Sequence, residues 1–190
     1  MSSILNADHT HPLEGGASYS FTHRLVRLTW NIVWLLAASW TPPILHPWRR
    51  VLLRLFGAKI SPTANIYGSA KVWFPGNLVV EEHACIGPRS TVYSMALITL
   101  KPYSLVSQGA HLCAGTHDIE DPYFQLYARP ISVGSRAWIA AEAFVGPGVT
   151  VGEGAVLGAR AVTFRDLDTW TIYAGNPAKA LKSRNIRPAA

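Results

Sequence analysis

One histidine in an irregular stretch is the residue of this chain best placed to do chemistry. His117 lies in Gly115-Thr116-His117-Asp118, which opens a segment from Cys113 to Pro130 that also carries Tyr123, Phe124, Tyr127 and Arg129. An imidazole titrates near neutrality, so it can take a proton from a hydroxyl and return it later. By residue type alone, a loop histidine serves a solvated or structural role as readily as a catalytic one. The other histidines are less suggestive. His9, His11 and His23 lie in or near the N-terminal stretch, His46 adjoins Pro47, and His83 and His111 fall inside a repeat. Cys113 stands four residues before His117, but a cysteine beside a repeat is more simply a buried small side chain. No nucleophile is therefore placed for a covalent intermediate.

What must hold this segment is a repeat of six. Val133, Ile139, Val145, Val151, Leu157 and Thr163 recur at that interval, and Ala137, Ala143, Val149, Ala155 and Ala161 keep step with them. Neither a helix at 3.6 nor a strand at 2 gives this period, unless each hexad is one short strand plus one corner. Stacked hexads bury a core that no single one could bury, so the fold expected is a hexapeptide β-helix. Three hexads make one triangular coil, which sets Val133 over Val151 and Ile139 over Leu157. Gly134, Gly146, Gly152 and Gly158 follow the aliphatic positions, where glycine is expected to serve corner dihedrals. The series begins with Ile60, Ile66, Val72 and Leu78, then slips by two at Val80 and again at Leu100. Two-residue slips are tolerated if the extra residues bulge at a corner. Between Leu112 and Ile131 the period disappears, and a long interruption in a repeat protein is usually functional.

The resulting plan is a flexible arm at 1–19, a helical cap at 20–57, the β-helix at 58–168 with an inserted loop at 113–130, and a strand and helix at 169–190. In the cap, Leu25, Leu28, Ile32, Leu35 and Leu36 have helical spacing up to Thr41-Pro42-Pro43, and Trp48 to Phe56 carries Arg49, Arg50 and Arg54. This cap is expected to cover the first coil, and its Trp and Arg side chains also suit peripheral contact of residues 20–56 with a membrane surface. The run from Leu28 to Trp40 is too short to span a bilayer, and the N-terminus lacks the features of a signal peptide. A net charge of +6 favours an anionic partner such as a phosphorylated cofactor. No dense Lys/Arg run interleaves with aromatics, so nucleic acid is not expected. Cys85 and Cys113 form no CxxC motif and fit reduced thiols in a cytoplasmic protein.

The hexads, the Gly-Thr-His-Asp segment and the tail Ala174-Gly175-Asn176-Pro177-Ala178-Lys179 occur together, along with Trp48-Arg49-Arg50, Phe56-Gly57-Ala58-Lys59 and Trp138-Ile139-Ala140. In these the chain resembles the hexapeptide-repeat O-acetyltransferases of bacterial exopolysaccharide synthesis, the colanic-acid type, over about residues 20–185. It is more distantly similar to the galactoside and maltose acetyltransferases. The resemblance implies an all-β, left-handed parallel β-helix with a short N-terminal helical segment and a C-terminal helix. It implies a homotrimer with active sites between subunits, acetyl-CoA as acyl donor, a saccharide acceptor and no metal. It further implies His117 as general base, with Trp138, Ala141, Ala159, Arg165, Lys179 and Lys182 along the cofactor. Tyr93, Ser94 and Asp118 are implied on the acceptor side.

Three departures from those relatives stand out. Tyr93 replaces an acceptor-binding Asn of the galactoside enzymes, Phe164 replaces a small polar residue, and Leu100-Lys101-Pro102-Tyr103 replaces an aliphatic-Gly corner, which is expected to be distorted. Two other readings of such a fold are a non-catalytic trimeric scaffold and a carbonic-anhydrase-like zinc β-helix. The zinc proteins of similar fold pair ligands as His-x4-His, whereas His111 and His117 are six apart.

Overall fold

Strands of two or three residues alternate with tight corners and wind the chain into a triangular solenoid. The computed structural model describes residues 4–186. Its first face stacks residues 59–60, 78–80, 98–100, 131–133 and 150–151 in parallel. The second stacks 65–66, 85–86, 105–106, 138–139 and 156–157, and ends with Thr171–Ala174. The third stacks 71–72, 91–93, 111–113, 144–145 and 162–163. The winding is that of a left-handed parallel β-helix. Its hexad positions point inward and align from coil to coil. Ile139, Val106 and Leu157 are in register on the second face, Val145, Leu112 and Thr163 on the third, and all of them are buried.

The slips in the repeat have a place. Successive coils are twenty residues apart at Ile60, Val80 and Leu100 but eighteen apart at Val133 and Val151. The extra pair enters at the corner between the third and first faces, where Leu78, Ile98 and Ile131 stack as a second buried row. Ser94 fastens that enlarged corner. Its hydroxyl donates to the Phe74 carbonyl at 2.8 Å and accepts from the Phe74 N–H at 3.0 Å.

Several expectations need correction. Gly134, Gly152 and Gly158 do not carry the left-handed dihedrals. These fall two residues after the glycine position, at Arg136, Gly154 and Arg160. Gly134 and Gly152 are glycine because adjacent coils pass too close: a Cβ at Gly134 would lie 2.7 Å from the Glu153 nitrogen, and one at Gly152 2.6 Å from that of Thr169. The Lys101-Pro102-Tyr103 corner is regular, not distorted. Lys101 donates its N–H to Val133 at 2.9 Å, and Tyr103 takes the same left-handed conformation as Arg136. The tail is no helix. Lys179–Ser183 is a strand antiparallel to Thr171–Ala174, because the last coil leaves an open edge that the returning chain can pair. The N-terminal segment is also no free arm in its described part. Ile4 bridges Tyr19, a short helix α1 spans Ala7–Thr10, and Ala7 is buried.

Two longer helices, α2 (Phe21–Ala37) and α3 (His46–Leu55), cover the first coil. Each coil donates its N–H groups to the carbonyls of the next, as Ser61 does to Val80 at 2.7 Å and Tyr67 to Ile86 at 3.0 Å. The carbonyls of the first coil therefore have no coil to serve them, and a buried carbonyl without a donor costs about 1–3 kcal/mol. Helix α3 supplies Arg54 to Ile60 (2.6 and 2.9 Å), Arg50 to Ala64 (2.9 Å) and Arg49 to Ile66 (2.6 Å). Helix α2 supplies the indole N–H of Trp34 to Gly68 and Ala70 (both 3.1 Å) and that of Trp30 to Val72 (2.7 Å). The fully buried guanidinium of Arg49 also holds the linker between the helices, donating to the Thr41 hydroxyl (2.6 Å) and the Pro42 and Pro43 carbonyls (3.0 and 2.8 Å). Arg49→Met keeps the apolar bulk but strips these acceptors of their donor, and should cost about 3 kcal/mol or more in urea unfolding. Arg49→Lys, which lacks the fork, should recover little of it.

Candidate active site

The inserted segment leaves the solenoid at the enlarged corner and forms an antiparallel hairpin, Gly115–His117 against Leu126–Ala128. It is seated on Met95, with Leu126 buried beside Tyr19 beneath it. Gly115 is required there, because a Cβ would collide with the Met95 sulfur.

His117 is half-buried at the hairpin's end. Its Nδ1 is 2.8 Å from the Phe124 carbonyl, and its ring stacks on that of Phe124 with centroids 4.3 Å apart. A carbonyl only accepts, so Nδ1 carries the hydrogen and Nε2 carries the lone pair. The ring is thus held in the tautomer whose Nε2 can act as a base. The loop itself is braced: Asp121 accepts from the N–H groups of Tyr123 (2.8 Å) and Gln125 (3.4 Å), and the Gln125 carbonyl accepts from Asp118 N–H at 2.8 Å. The Gln125 side chain then reaches the N-terminal segment. Its Oε1 accepts from Ala7 N–H at 2.7 Å, and its Nε2 donates to the carbonyls of Leu5 (3.2 Å) and Leu126 (2.7 Å). No repeat or motif marks Gln125 or Phe124 in the sequence, since one acts through a contact 118 residues away and the other through its backbone.

The other expected site residues divide into groups. Asp118 is exposed, and its carboxylate accepts from Glu120 N–H at 3.1 Å within its own turn. Tyr93 lies on the third face between Trp73 (5.3 Å) and His111 (6.4 Å), at the margin of a cleft of about 490 Å³ that Trp30, Trp34 and Trp73 also line. Ser94 does not belong with it: fully buried and bonded to Phe74, its hydroxyl offers nothing to a substrate. Cys113 pairs with Tyr93 across the strands, donates its thiol to the Gly115 carbonyl at 3.3 Å, and is pushed above its ordinary pKa by burial. A protonated, occupied thiol is a poor nucleophile.

Ala141 and Ala159 are eighteen residues apart and occupy one corner, between the second and third faces, where Arg160 N–H donates to the Ala141 carbonyl at 2.9 Å. The tail docks beside them: Val162 N–H donates to Gly175 (3.0 Å) and Ala178 N–H to Val162 (2.8 Å), which starts the strand carrying Lys179 and Lys182, both exposed. Arg165 is exposed at the opposite corner, just past Val162–Thr163 and next to Phe164, whose ring covers Gly146. Trp138 is on the second face with its indole N–H on the Ser107 hydroxyl at 2.8 Å. So within one chain Ala141, Ala159 and the tail with its lysines gather at one edge of the third face, while His117 projects from the other, the edge at which Arg165 also lies. Among the described residues, no group of three His, Cys, Asp or Glu side chains converges as metal ligands would.

Comparison with known proteins gives the same picture. The chain is 39% identical over 159 residues to the WcaF protein of Escherichia coli (strain K12), assigned to colanic acid biosynthesis as an acetyltransferase, covering 84% of this chain and 87% of that one. It is similar in fold to a hexapeptide-repeat acetyltransferase of Vibrio cholerae solved with acetyl coenzyme A (TM-score 0.79, 18% identity, 96% of this chain and 100% of that one). A galactoside acetyltransferase in complex with coenzyme A also shares the fold (TM-score 0.71, 17% identity, 95% and 92%). No protein-family model matches the chain.

Gln125→Ala should cut the N-terminal segment loose without unfolding the solenoid. Hydrogen exchange at the Ala7 amide should quicken by about tenfold or more, with core strands such as 144–145 unchanged.

Proposed function

Since the chain belongs to the hexapeptide-repeat acetyltransferases, we propose that it moves an acetyl group from acetyl-CoA onto a saccharide hydroxyl in exopolysaccharide synthesis. The observation that carries the reading is the imidazole of His117, fixed by the Phe124 carbonyl with Nε2 free. Nε2 takes the proton of the acceptor hydroxyl as its oxygen attacks the thioester carbonyl. The tetrahedral intermediate then collapses, the C–S bond breaks, and the imidazolium returns the proton to the departing CoA sulfur. Backbone N–H groups of an adjoining coil are the natural donors to the oxyanion. With Cys113 protonated and bonded, direct transfer in a ternary complex is favoured over an acyl-enzyme.

The cofactor reading rests on Ala141 and Ala159 at one corner, Trp138 on the adjoining face, and the exposed cations of Lys179 and Lys182, which can meet phosphates as point charges; Arg165, exposed at the hairpin's edge, would reach the cofactor from the subunit that provides His117. Acetyl and coenzyme A bound to neighbours of the same fold support it. On the acceptor side Tyr93 and Asp118 remain, without Ser94. Because His117 and the cofactor corner lie at opposite edges of the third face, we assign the site to the junction of two subunits of a trimer. One subunit provides the hairpin and its neighbour provides the corner. No helix among the described residues is long and apolar enough to cross a membrane. The two free thiols and the need for acetyl-CoA favour the cytoplasm.

His117→Ala should lower turnover by at least about 10²-fold while calorimetry shows acetyl-CoA affinity almost unchanged. Near-normal turnover would remove His117 from the mechanism. A shared site makes a sharper claim. Lys179→Ala/Lys182→Ala should weaken acetyl-CoA binding. When that variant is co-refolded with His117→Ala and assayed at dilute acetyl-CoA, activity should return to about a quarter of the wild-type level, one half times one half for random assembly. If each subunit holds a whole site, mixing restores nothing.

A further inference from the structure

The inner face of α2 is accounted for by Trp30 and Trp34, but its outer face is not. Phe21, Leu25, Leu28, Ile32, Leu35 and Leu36 follow one another at helical spacing and are all exposed, Phe21 at 76% and Leu36 at 68%. Trp40 and Trp48, also exposed, extend the row past the end of the helix, and the Trp48 indole bonds the Ala37 carbonyl at 2.8 Å to join α3 to it. A row this long is more than the scattered apolar surface of a soluble domain.

We propose that this row docks on an anionic lipid bilayer. Residues 20–57 contain five arginines and no aspartate or glutamate. Three of those arginines cap the first coil, but Arg24 and Arg27 face the row. They line a surface cleft of about 410 Å³ together with Phe21, Leu25, Leu28 and Asn31, and among the described residues neither has a carboxylate within ion-pair distance. Arg27 is held 4.1 Å over the Trp73 ring, so one guanidinium is anchored beside the apolar row. Apolar side chains bordered by unpaired guanidiniums and exposed tryptophans match the layering of a bilayer interface, with acyl chains below and phosphates above. Helix α2, about 25 Å long at 1.5 Å per residue, lies along such a surface and does not span it.

Pairing of this row with a second copy is the rival occupant, and the charge pattern disfavours it. Helices that associate side by side flank their apolar seam with both signs of charge, whereas here the flanks hold only arginine, which would meet arginine. The inference stands apart from the transferase reading, because its test reads binding and not turnover.

The test is co-sedimentation of the full chain with phosphatidylcholine vesicles, with and without phosphatidylglycerol. The wild type should sediment with the anionic vesicles, less so as salt rises. Leu28→Glu/Ile32→Glu should lower partitioning by about tenfold or more, and Arg24→Gln/Arg27→Gln should abolish the preference for anionic over neutral vesicles. Circular dichroism checks that each variant is folded, and the arginine pair together with the salt series decides the matter if the glutamate variant is not. Failure of the wild type to sediment with anionic vesicles overturns the proposal. So does dissociation of the oligomer by Leu28→Glu/Ile32→Glu in light scattering, which would assign the row to a second copy.

Discussion

The hydrogen-bond ladder of this solenoid has a direction, and the rest of the molecule answers to it. Every coil gives its N–H groups to the next, so the first coil ends in carbonyls alone. Only donors can close that edge. Five of the side chains that meet it, three arginines and two tryptophans, have N–H groups and no acceptor, and His46 joins them through Nδ1 at the Ile66 carbonyl. A second strand would also satisfy the carbonyls, but it would expose a fresh edge of its own and invite end-to-end association. Two helices whose side chains carry the donors stop the stacking instead. The far end obeys the same rule by another route, because the chain turns back through Gly175 and Pro177 and pairs with its own last strand.

Close stacking also explains where the chemistry can be. The first-to-second corner is pressed against neighbouring coils: at Gly134 and Gly152 not even a methyl group fits. The third-to-first corner is different. It already holds two extra residues in the early coils, roofed by Leu78, Ile98 and Ile131 and fastened by Ser94. That corner admits the eighteen residues between Leu112 and Ile131 without parting the ladder. The hairpin there gains rigidity from three directions: Met95 below, Asp121 within, and the N-terminal segment through Gln125. What this rigidity fixes is small, a carbonyl opposite Nδ1, yet it decides which nitrogen of His117 is basic.

How much of this could be read from the sequence follows from the range of each interaction. The hexads, the two slips and the interruption were legible, because every coil repeats the same burial requirement and a departure shows against it. His117 was legible as a break in a pattern. The reason for Gly134 and Gly152 was not, since it lies in the separation of coils eighteen residues apart and not in local dihedrals. Lys101 read as a distortion for the same reason: its neighbour coil leaves room for a side chain where Gly152's does not. Ser94 looked like a polar residue near a site, and only its contact with Phe74, twenty residues back, shows that it is structural. The tail lacks any periodic signal, and an edge left open by the fold made it a strand. The proposed acetyl-CoA contacts rest on resemblance alone and carry no pattern of their own.

The placement of the two halves of the site has a consequence for assembly. A triangular solenoid presents three flat faces, and an edge shared by two of them can belong to only one pocket at a time. His117 projects past one edge of the third face, while Ala141, Ala159 and the Gly175–Ala178 turn line the other. A single chain cannot fold that face to bring its edges together, because five parallel strands hold it. A neighbour related by rotation can, since its corner meets the hairpin without any strand moving. In the proposed trimer, rotation by a third of a turn closes the ring with every hairpin set against a neighbour's corner. In such a trimer three copies of α2 would lie at one end of the assembly, so a surface that binds weakly through one apolar row would be held through three at once.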